Sequence, residues 1–228
     1  SKVDKDLFAK GQRVMYLFSK DDNTLIQHLQ KNRDGVRDIF QKEERKRLSR
    51  KILGKKKIDK ATRTHLKKEY GFKFSFPKGY LLAKEDKSEN EGFVFVRNIT
   101  PQVDRNLFVA YQPYTNTEQL EDKYVIAWRD SICKKYIFDR EKTESYLVTE
   151  TQLPPSIRKV NFKKNYALEV RGVWRTSVKS MGGSFLSYVL VDEKKGRLYY
   201  IEGFLYAPGK DKRELLRELE AILWTFEG

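Results

Sequence analysis

The sequence predicts an α+β fold, namely a mostly antiparallel sheet flanked by helices in an α-β-α sandwich, with a basic helical arm. Period-two segments rich in aromatic and β-branched residues dominate residues 72–208, and short turns separate them. Two helical segments each carry one apolar face, which has to be buried against a sheet. Residues 42–68 hold thirteen Lys or Arg against three acidic residues, so 13 − 3 = +10 of a total net charge of +15.

The N-terminal part begins with one strand and continues with helices. The alternating segment 12–19 predicts the strand. From Thr24 the apolar residues fall at helical spacing, and this helix is expected to end near Gly54. Residues 59–71 predict a second helix, with Asp59 as the N-cap and Gly71 at the C-terminal end.

The middle of the chain changes to strand periodicity. Residues 72–86 alternate and turn at Pro77–Gly79, while 92–99 and 105–113 predict a pair of neighbouring strands. Thr115 and Glu118 have the spacing of a capping box before an amphipathic helix. The predicted apolar stripe of that helix consists of Leu120, Tyr124, Trp128, Ile132 and Tyr136.

The C-terminal part predicts an antiparallel meander followed by a helix. Residues 144–153 look extended, and 166–176, 184–193 and 197–208 predict three strands, with the first joint at Gly182–Gly183. Asp211 and Glu214 have capping-box spacing before the last helix. The apolar face of this helix is expected to comprise Leu215, Leu216, Leu219, Ile222, Leu223 and Phe226.

The uneven charge suggests two parts. Residues 1–70 have a net charge of 21 − 10 = +11, and residues 71–228 have 26 − 22 = +4. We therefore predict a strand with a basic helical arm over 1–70, which could be the end of an upstream domain, and an α+β sandwich over 71–228. The first residues read as a trimmed or mature fragment, so they do not indicate a location.

Two strings of the C-terminal part are specific enough to suggest a family, namely "MGGSFLSYVLVDE" from residue 181 and "EGFLYAPGKDKRELLRELEAILWTF" from residue 202. With other strings along the chain they resemble a Bacteroidota lipoprotein family known as domain of unknown function 4837. The resemblance implies an exported cell-envelope protein of the periplasm or outer membrane, lipid-anchored through an N-terminal portion outside these 228 residues. It implies no activity and no site residues. The residues themselves leave a cytoplasmic location open.

A second likeness concerns shape alone. The order of strands, helix, meander and terminal helix is similar to the PsbP/Mog1-like α-β-α sandwich. Because one fold hosts many functions, this analogy implies nothing about what the protein does.

Catalytic and metal chemistry finds little support in the sequence. His28 and His65 lie in different helical segments without further ligands at metal-binding spacing, and Cys133 has no motif around it. We predict no cofactor, no metal site and no enzyme activity, and expect Cys133 to be a small core or partly exposed thiol. The aromatic residues of the meander are expected in the core rather than in a ligand groove.

The basic stretch is the main candidate binding surface. We predict that it contacts a protein partner or an anionic envelope surface through the residues Arg45, Lys46, Arg47, Arg50, Lys51, Lys55, Lys56 and Lys57. The alternatives are a solvated helix without a partner, a nucleic-acid-binding domain and an enzyme with an unassigned site. Nucleic acid is disfavoured because residues 42–68 contain no aromatic residue and no known motif.

A second candidate lies at the start of the last helix. Lys210, Lys212 and Arg213 are placed where a helix N-terminus could receive an anion. A plain loop with a capping box explains the same residues.

Overall fold

The computed structural model describes residues 1–54, 57–139, 141–142, 144–178 and 180–228. It divides into a first unit, Ser1–Lys51, and a second unit, Ile52–Gly228. This division lies about twenty residues before the predicted boundary at 70/71. The reason is that the helix over 60–70 buries Leu66 and Tyr70 in the core of the second unit.

The first unit contains a small hairpin and two helices. Strands β1 (Lys2–Lys5) and β2 (Arg13–Tyr16) pair antiparallel, and helices α1 (Asp22–Lys31) and α2 (Arg33–Ile52) follow. The single helix predicted from Thr24 is therefore wrong. Asn32 is the C-cap of α1: its backbone leaves helical geometry (φ −107°, ψ 14°), and its side-chain amide donates to the carbonyl of His28 at 2.9 Å.

The second unit is built on one eight-stranded antiparallel sheet. Its elements are α3 (Lys60–Tyr70), β3 (Leu81–Lys87), β4 (Gly92–Ile99), β5 (Asp104–Pro113), a 3-10 helix (Thr117–Leu120), α4 (Asp122–Tyr136), β6 (Leu147–Thr149), β7 (Ser156–Phe162), β8 (Asn165–Thr176), β9 (Gly182–Asp192), β10 (Arg197–Tyr206) and α5 (Arg213–Leu223). The strand order is β3-β4-β5-β10-β9-β8-β6, and β7 pairs with β8 next to β6. The predicted α+β fold with a mostly antiparallel sheet is thus confirmed.

Helices cover both faces of the sheet. On one face, α3 and α5 pack over a core that includes Phe72, Phe74, Leu107, Tyr188, Tyr199, Ile201 and Phe226. On the other face, α4 packs over Phe93, Phe108, Leu168, Trp174, Phe185, Tyr200 and Phe204. Neighbours along β10 alternate between the two cores, because successive side chains of a strand point to opposite faces. The aromatic meander is therefore core, as expected.

Four of the five residues of the predicted stripe contact the core, namely Leu120, Trp128, Ile132 and Tyr136, but α4 also buries residues outside that stripe. Its buried residues are Val125, Arg129, Ile132 and Cys133, whereas Tyr124 is exposed. Trp128 and Tyr136 are half-buried against the same core. The predicted i+4 ladder did not include Arg129, because an arginine in a buried stripe needs a partner that only the sheet supplies.

Two predicted capping boxes are wrong in detail. The box before α4 is one residue later, with Asn116 and Gln119 on the 3-10 helix. At α5 the N-cap residue is Lys212, which makes no side-chain cap, and the Asp211 carboxylate accepts from the backbone amide of Arg213 at 3.1 Å. By contrast, Asp59 and Gly71 cap α3 as predicted.

Two features of the sheet were also missed. Strand β7 was not predicted, since its half-exposed edge position tolerates Arg158 and Lys159 between the apolar residues. The glycine pair predicted as a turn forms the start of β9 instead, where Gly182 and Gly183 pair with Arg175 and Trp174.

Candidate functional site

The basic surface of the first unit comprises Arg45, Lys46, Arg47, Arg50 and Lys51 of α2. These five cations follow one another without an intervening acidic residue. Their side chains reach water: those of Lys46, Arg47 and Arg50 are 50%, 47% and 72% exposed. Lys57, which lies in the second unit, is exposed as well. The predicted Lys55 and Lys56 lie outside the described residues.

One buried carboxylate organises part of this surface. Glu43 is the buried residue of Ser1–Lys51, and its carboxylate lies 3.2 Å from Arg13 Nε, 3.9 Å from Lys46 Nζ and 3.7 Å from Arg50 Nη2. Burial acts to raise the pKa of Glu43, but the hydrogen bond from Arg13 and the neighbouring cations outweigh it and lower the pKa. Lys46 and Arg50 therefore also support the packing of β2 on α2.

Arg47 contacts other groups than Glu43. The Arg47 side chain donates to the carbonyl of Gly11 and lies 3.9 Å from Glu44. Gly11 belongs to the loop between β1 and β2, so this loop lies along α2. The same loop carries Phe8, whose ring is 75% exposed.

Exposed apolar residues accompany the charge. In the fully described first unit no apolar side chain is buried, whereas Phe8, Phe18 and Ile26 are 75%, 67% and 51% exposed. Two further large residues, Ile39 and Phe40, are exposed on α2 itself. Large exposed apolar residues on one small unit are typical of a surface that contacts a partner or a membrane.

At the candidate anion site, the start of α5, a carboxylate of the protein itself already accepts a hydrogen bond from the helix. Lys210 and Arg213 are exposed and Lys212 is half-buried. The Asp211 carboxylate accepts the first free amide of the helix, so an external anion would compete with it.

The histidines and the cysteine occupy separate positions. His28 is exposed on α1, and His65 Nε2 lies 2.7 Å from Glu85 Oε1. Cys133 is buried, and burial raises the pKa of its thiol to about 12. In the described ranges, no three His, Cys, Asp or Glu side chains converge as metal ligands would.

Two buried ionic networks lie on opposite faces of the sheet, and periodicity predicted neither. Arg129 of α4 pairs with Glu202 of β10, and Glu169 of β8 accepts from Arg158 and Arg171. The sequence signal was an acidic residue directly flanked by apolar or glycine residues in each of two strands, Glu169 in "ALEV" and Glu202 in "YIEGF". All the donors and acceptors named here are engaged within the protein, which is typical of a structural role.

Two domain profiles match the sequence. Residues 59–225 match Domain of unknown function (DUF4837), which is more than half of the chain. The chain belongs to this family. Residues 1–53 match a second profile, Domain of unknown function (DUF8532). A search of curated proteins found no match.

The two profile matches agree with the division of the structure. The DUF4837 match lies within the second unit, and the DUF8532 match covers the first unit and ends two residues after it. The resemblance inferred from the motifs is confirmed for the domain family. The export and lipid anchor that it implied stay predictions. None of the described helices combines the length and apolar character needed to cross a bilayer.

Proposed function

We propose that the protein is a non-enzymatic binding module of the cell envelope that docks on an anionic lipid surface through its first unit. The observation that carries this proposal is the set of five cations on α2 with no acidic residue between them. Four of them are exposed, in a unit that also exposes large apolar residues. The envelope location and the lipid anchor of the precursor rest on the family resemblance.

The positive charge of the first unit is large enough to hold it at an anionic membrane. A Lys or Arg near an anionic membrane contributes roughly 1 kcal/mol, and the attraction decays over a Debye length of about 8 Å at physiological salt. The first unit as a whole has 14 basic and 8 acidic residues, so 14 − 8 = +6. Such a charge supports reversible binding that weakens with salt.

The apolar residues favour lipid over an acidic protein. Phe8 lies in the loop that Arg47 contacts, and Phe40 lies seven residues before Arg47 on α2, which is two helical turns along the same side. Aromatic side chains next to cations suit the boundary between headgroups and acyl chains. Electrostatic docking on an acidic protein would not require them.

The experiment compares vesicle binding of the full chain and two variants. The test variant is Arg45→Gln, Arg47→Gln and Lys51→Gln, which spares the Lys46 and Arg50 contacts with Glu43. Glutamine keeps helix propensity. The control, Lys123→Gln, Lys134→Gln and Lys194→Gln, removes the same charge from exposed positions of the second unit. Co-sedimentation uses phosphatidylcholine vesicles with and without phosphatidylglycerol.

We expect the full chain to bind only the vesicles that contain phosphatidylglycerol, and we expect added salt to weaken this binding. The test variant should lose the binding, and the control variant should keep it. If both variants lost binding equally, the binding would depend on the net charge of the protein and not on the α2 surface, and the proposal would be overturned. No vesicle binding at low salt would also overturn it. In a competition experiment, duplex DNA is added to the vesicle-bound protein. If DNA displaces the vesicles and binds the protein more tightly, the nucleic-acid alternative is favoured instead. Thermal unfolding of both variants checks that the fold is retained.

A further inference from the structure

A cleft of about 510 Å³ opens on the α4 face of the sheet in the second unit. Both margins of the sheet contribute to it, with Lys84 from β3 on one side and Thr176 from β8 on the other. The sheet therefore curls around the cleft. This volume falls in the range of small-molecule sites, which is about 300–1,000 Å³.

The α4 helix ends beside the cleft, and Ile137 and Phe138, which follow it, also line the cleft. Its last residue, Tyr136, stacks on Phe93 with ring centroids 4.0 Å apart, and its hydroxyl donates to Asp86 of β3 at 2.7 Å. The row of residues formed by Arg97, Asn106 and Phe204 on three neighbouring strands also lines the cleft.

The floor of the cleft is aromatic. The rings of Phe95 and Phe204 lie within 7° of parallel, with centroids 6.1 Å apart. The Trp174 indole stands edge-on to Phe204, and its Nε1 donates to the Leu205 carbonyl at 3.1 Å. The indole N–H is therefore already used. The Phe95, Trp174 and Phe204 rings are 7%, 2% and 4% exposed, so they form the buried base of the cleft. At the mouth, Phe138 is 36% exposed.

Planar polar side chains lie beside these rings. Arg97 Nε donates to Asn106 Oδ1 at 2.8 Å, and Arg97 Nη2 lies 3.9 Å from Asp104 Oδ2. Asn106 is 97% buried, while Arg97 and Asp104 keep part of their surface exposed. Arg97 can only donate hydrogen bonds and Asp104, when ionised, can only accept them. Donors and acceptors therefore converge next to a flat apolar floor.

From this arrangement we propose that the cleft binds a neutral saccharide. A sugar ring has an apolar C–H face that packs on an accessible aromatic ring such as Phe138, and each hydroxyl both donates and accepts, as Arg97 and Asp104 together require. The charges that line the cleft have both signs, positive on Lys84, Arg97 and Lys142 and negative on Asp104 and Asp139. Neither a purely apolar nor a purely anionic ligand would match all of them.

The experiment is NMR titration of the full chain with a panel of neutral disaccharides: maltose, cellobiose, mannobiose and N,N′-diacetylchitobiose. The test variant is Arg97→Gln. The matched control is Arg105→Gln, because Arg105 lies on the neighbouring strand but pairs with Glu218 of α5 on the opposite face, at 3.3 Å. Phe138→Ser is a second test at an exposed position. Sodium octanoate is titrated as the amphipathic anion.

We expect at least one disaccharide to shift the side-chain amide resonances of Asn106 and the indole resonance of Trp174. Arg97→Gln and Phe138→Ser should each weaken that binding at least tenfold, and Arg105→Gln should leave it unchanged. If no disaccharide shifts these resonances at millimolar concentration, the proposal is wrong. It is equally wrong if octanoate alone shifts them, or if Arg97→Gln binds as tightly as Arg105→Gln.

Discussion

The guanidinium of Arg129 and the carboxylate of Glu202 form a fully buried, two-point ion pair. Arg129 Nε lies 2.8 Å from Glu202 Oε2, and Arg129 Nη2 lies 2.7 Å from Glu202 Oε1. Ser187 Oγ also donates to Glu202 Oε2 at 2.8 Å, and the Arg129 cation lies 3.9 Å above the Phe185 ring. Burial acts to lower the pKa of Arg129, but the charge of Glu202 outweighs it and raises the pKa. The pair fixes α4 on the sheet.

The first prediction concerns loss of one partner. Arg129→Met leaves the buried Glu202 carboxylate without its cation, so we expect the free energy of unfolding to fall by about 3–5 kcal/mol. Glu202→Leu should cost a similar amount. The double variant should cost less than the sum of the two, since neither charge is then left alone. Urea denaturation at neutral pH measures all three, and additive losses would contradict the ion-pair account.

The second prediction concerns acid stability. Burial acts to raise the pKa of Glu169, but hydrogen bonds from Arg171 at 2.9 Å and Arg158 at 2.6 Å outweigh it and lower the pKa from 4.5 to about 2. A carboxylate whose folded pKa is depressed stabilises the protein above its unfolded pKa and loses this contribution as the pH falls to the folded value. The shift corresponds to about 3 kcal/mol.

Glu169→Gln should therefore be less stable than the parent protein at neutral pH. The difference should shrink by about 3 kcal/mol between pH 4.5 and about pH 2. Urea denaturation across this pH range tests it, with the exposed Glu89→Gln as the control. A difference as large at pH 2 as at pH 7 would contradict the assignment of the shift to Glu169.

The third prediction concerns a close approach inside the sheet. A Cβ at Gly183 would lie 2.0 Å from the Leu205 carbonyl oxygen and 2.9 Å from Trp174 Nε1, the two atoms that hydrogen-bond to each other. Gly183→Ala must separate them, so we expect a loss of about 2–4 kcal/mol in unfolding free energy. Tryptophan fluorescence during urea denaturation measures this. Ser184→Ala, the neighbouring control, should change stability by much less.

Helices and strands with an unambiguous local pattern were predictable from the sequence. The α3 helix has both a side-chain cap at Asp59 and a left-handed Gly71, and these act within a few residues. The three strands of the meander alternate over ten or more residues, so a register error would expose their apolar side chains. The apolar face of α5 was equally clear, because six residues repeat at helical spacing.

Elements that depend on distant contacts were not predictable in the same way. The β7 strand is an edge strand whose alternation is weak, and it is defined by its pairing with β8. The Asn116 box differs from the Thr115 box by one residue, and both satisfy the sequence pattern. The choice depends on the path of the chain leaving β5.

The two candidate sites also differ in whether local sequence or distant contacts define them. The basic surface is a run of neighbouring residues on one helix, so its composition alone pointed to Arg45–Lys51. The cleft combines residues from β3, β4, β5, β8 and β10, which lie up to about 120 positions apart in the chain. Some of them, such as Phe204 and Tyr206, lie in the strings that carry the family resemblance, but no motif indicates that they share a cleft.

By itself, the sequence determined the alternation of strands and helices, the apolar faces and the concentration of positive charge in the N-terminal part, since periodicity and composition are local properties. Tertiary structure alone decided that Arg129 meets Glu202, that Glu169 lies between two arginines, and that Arg97 and Asn106 line a cleft beside the end of α4. The physical reason is that partner choice and coverage depend on how a curled sheet brings remote strands together, and no local pattern encodes that geometry.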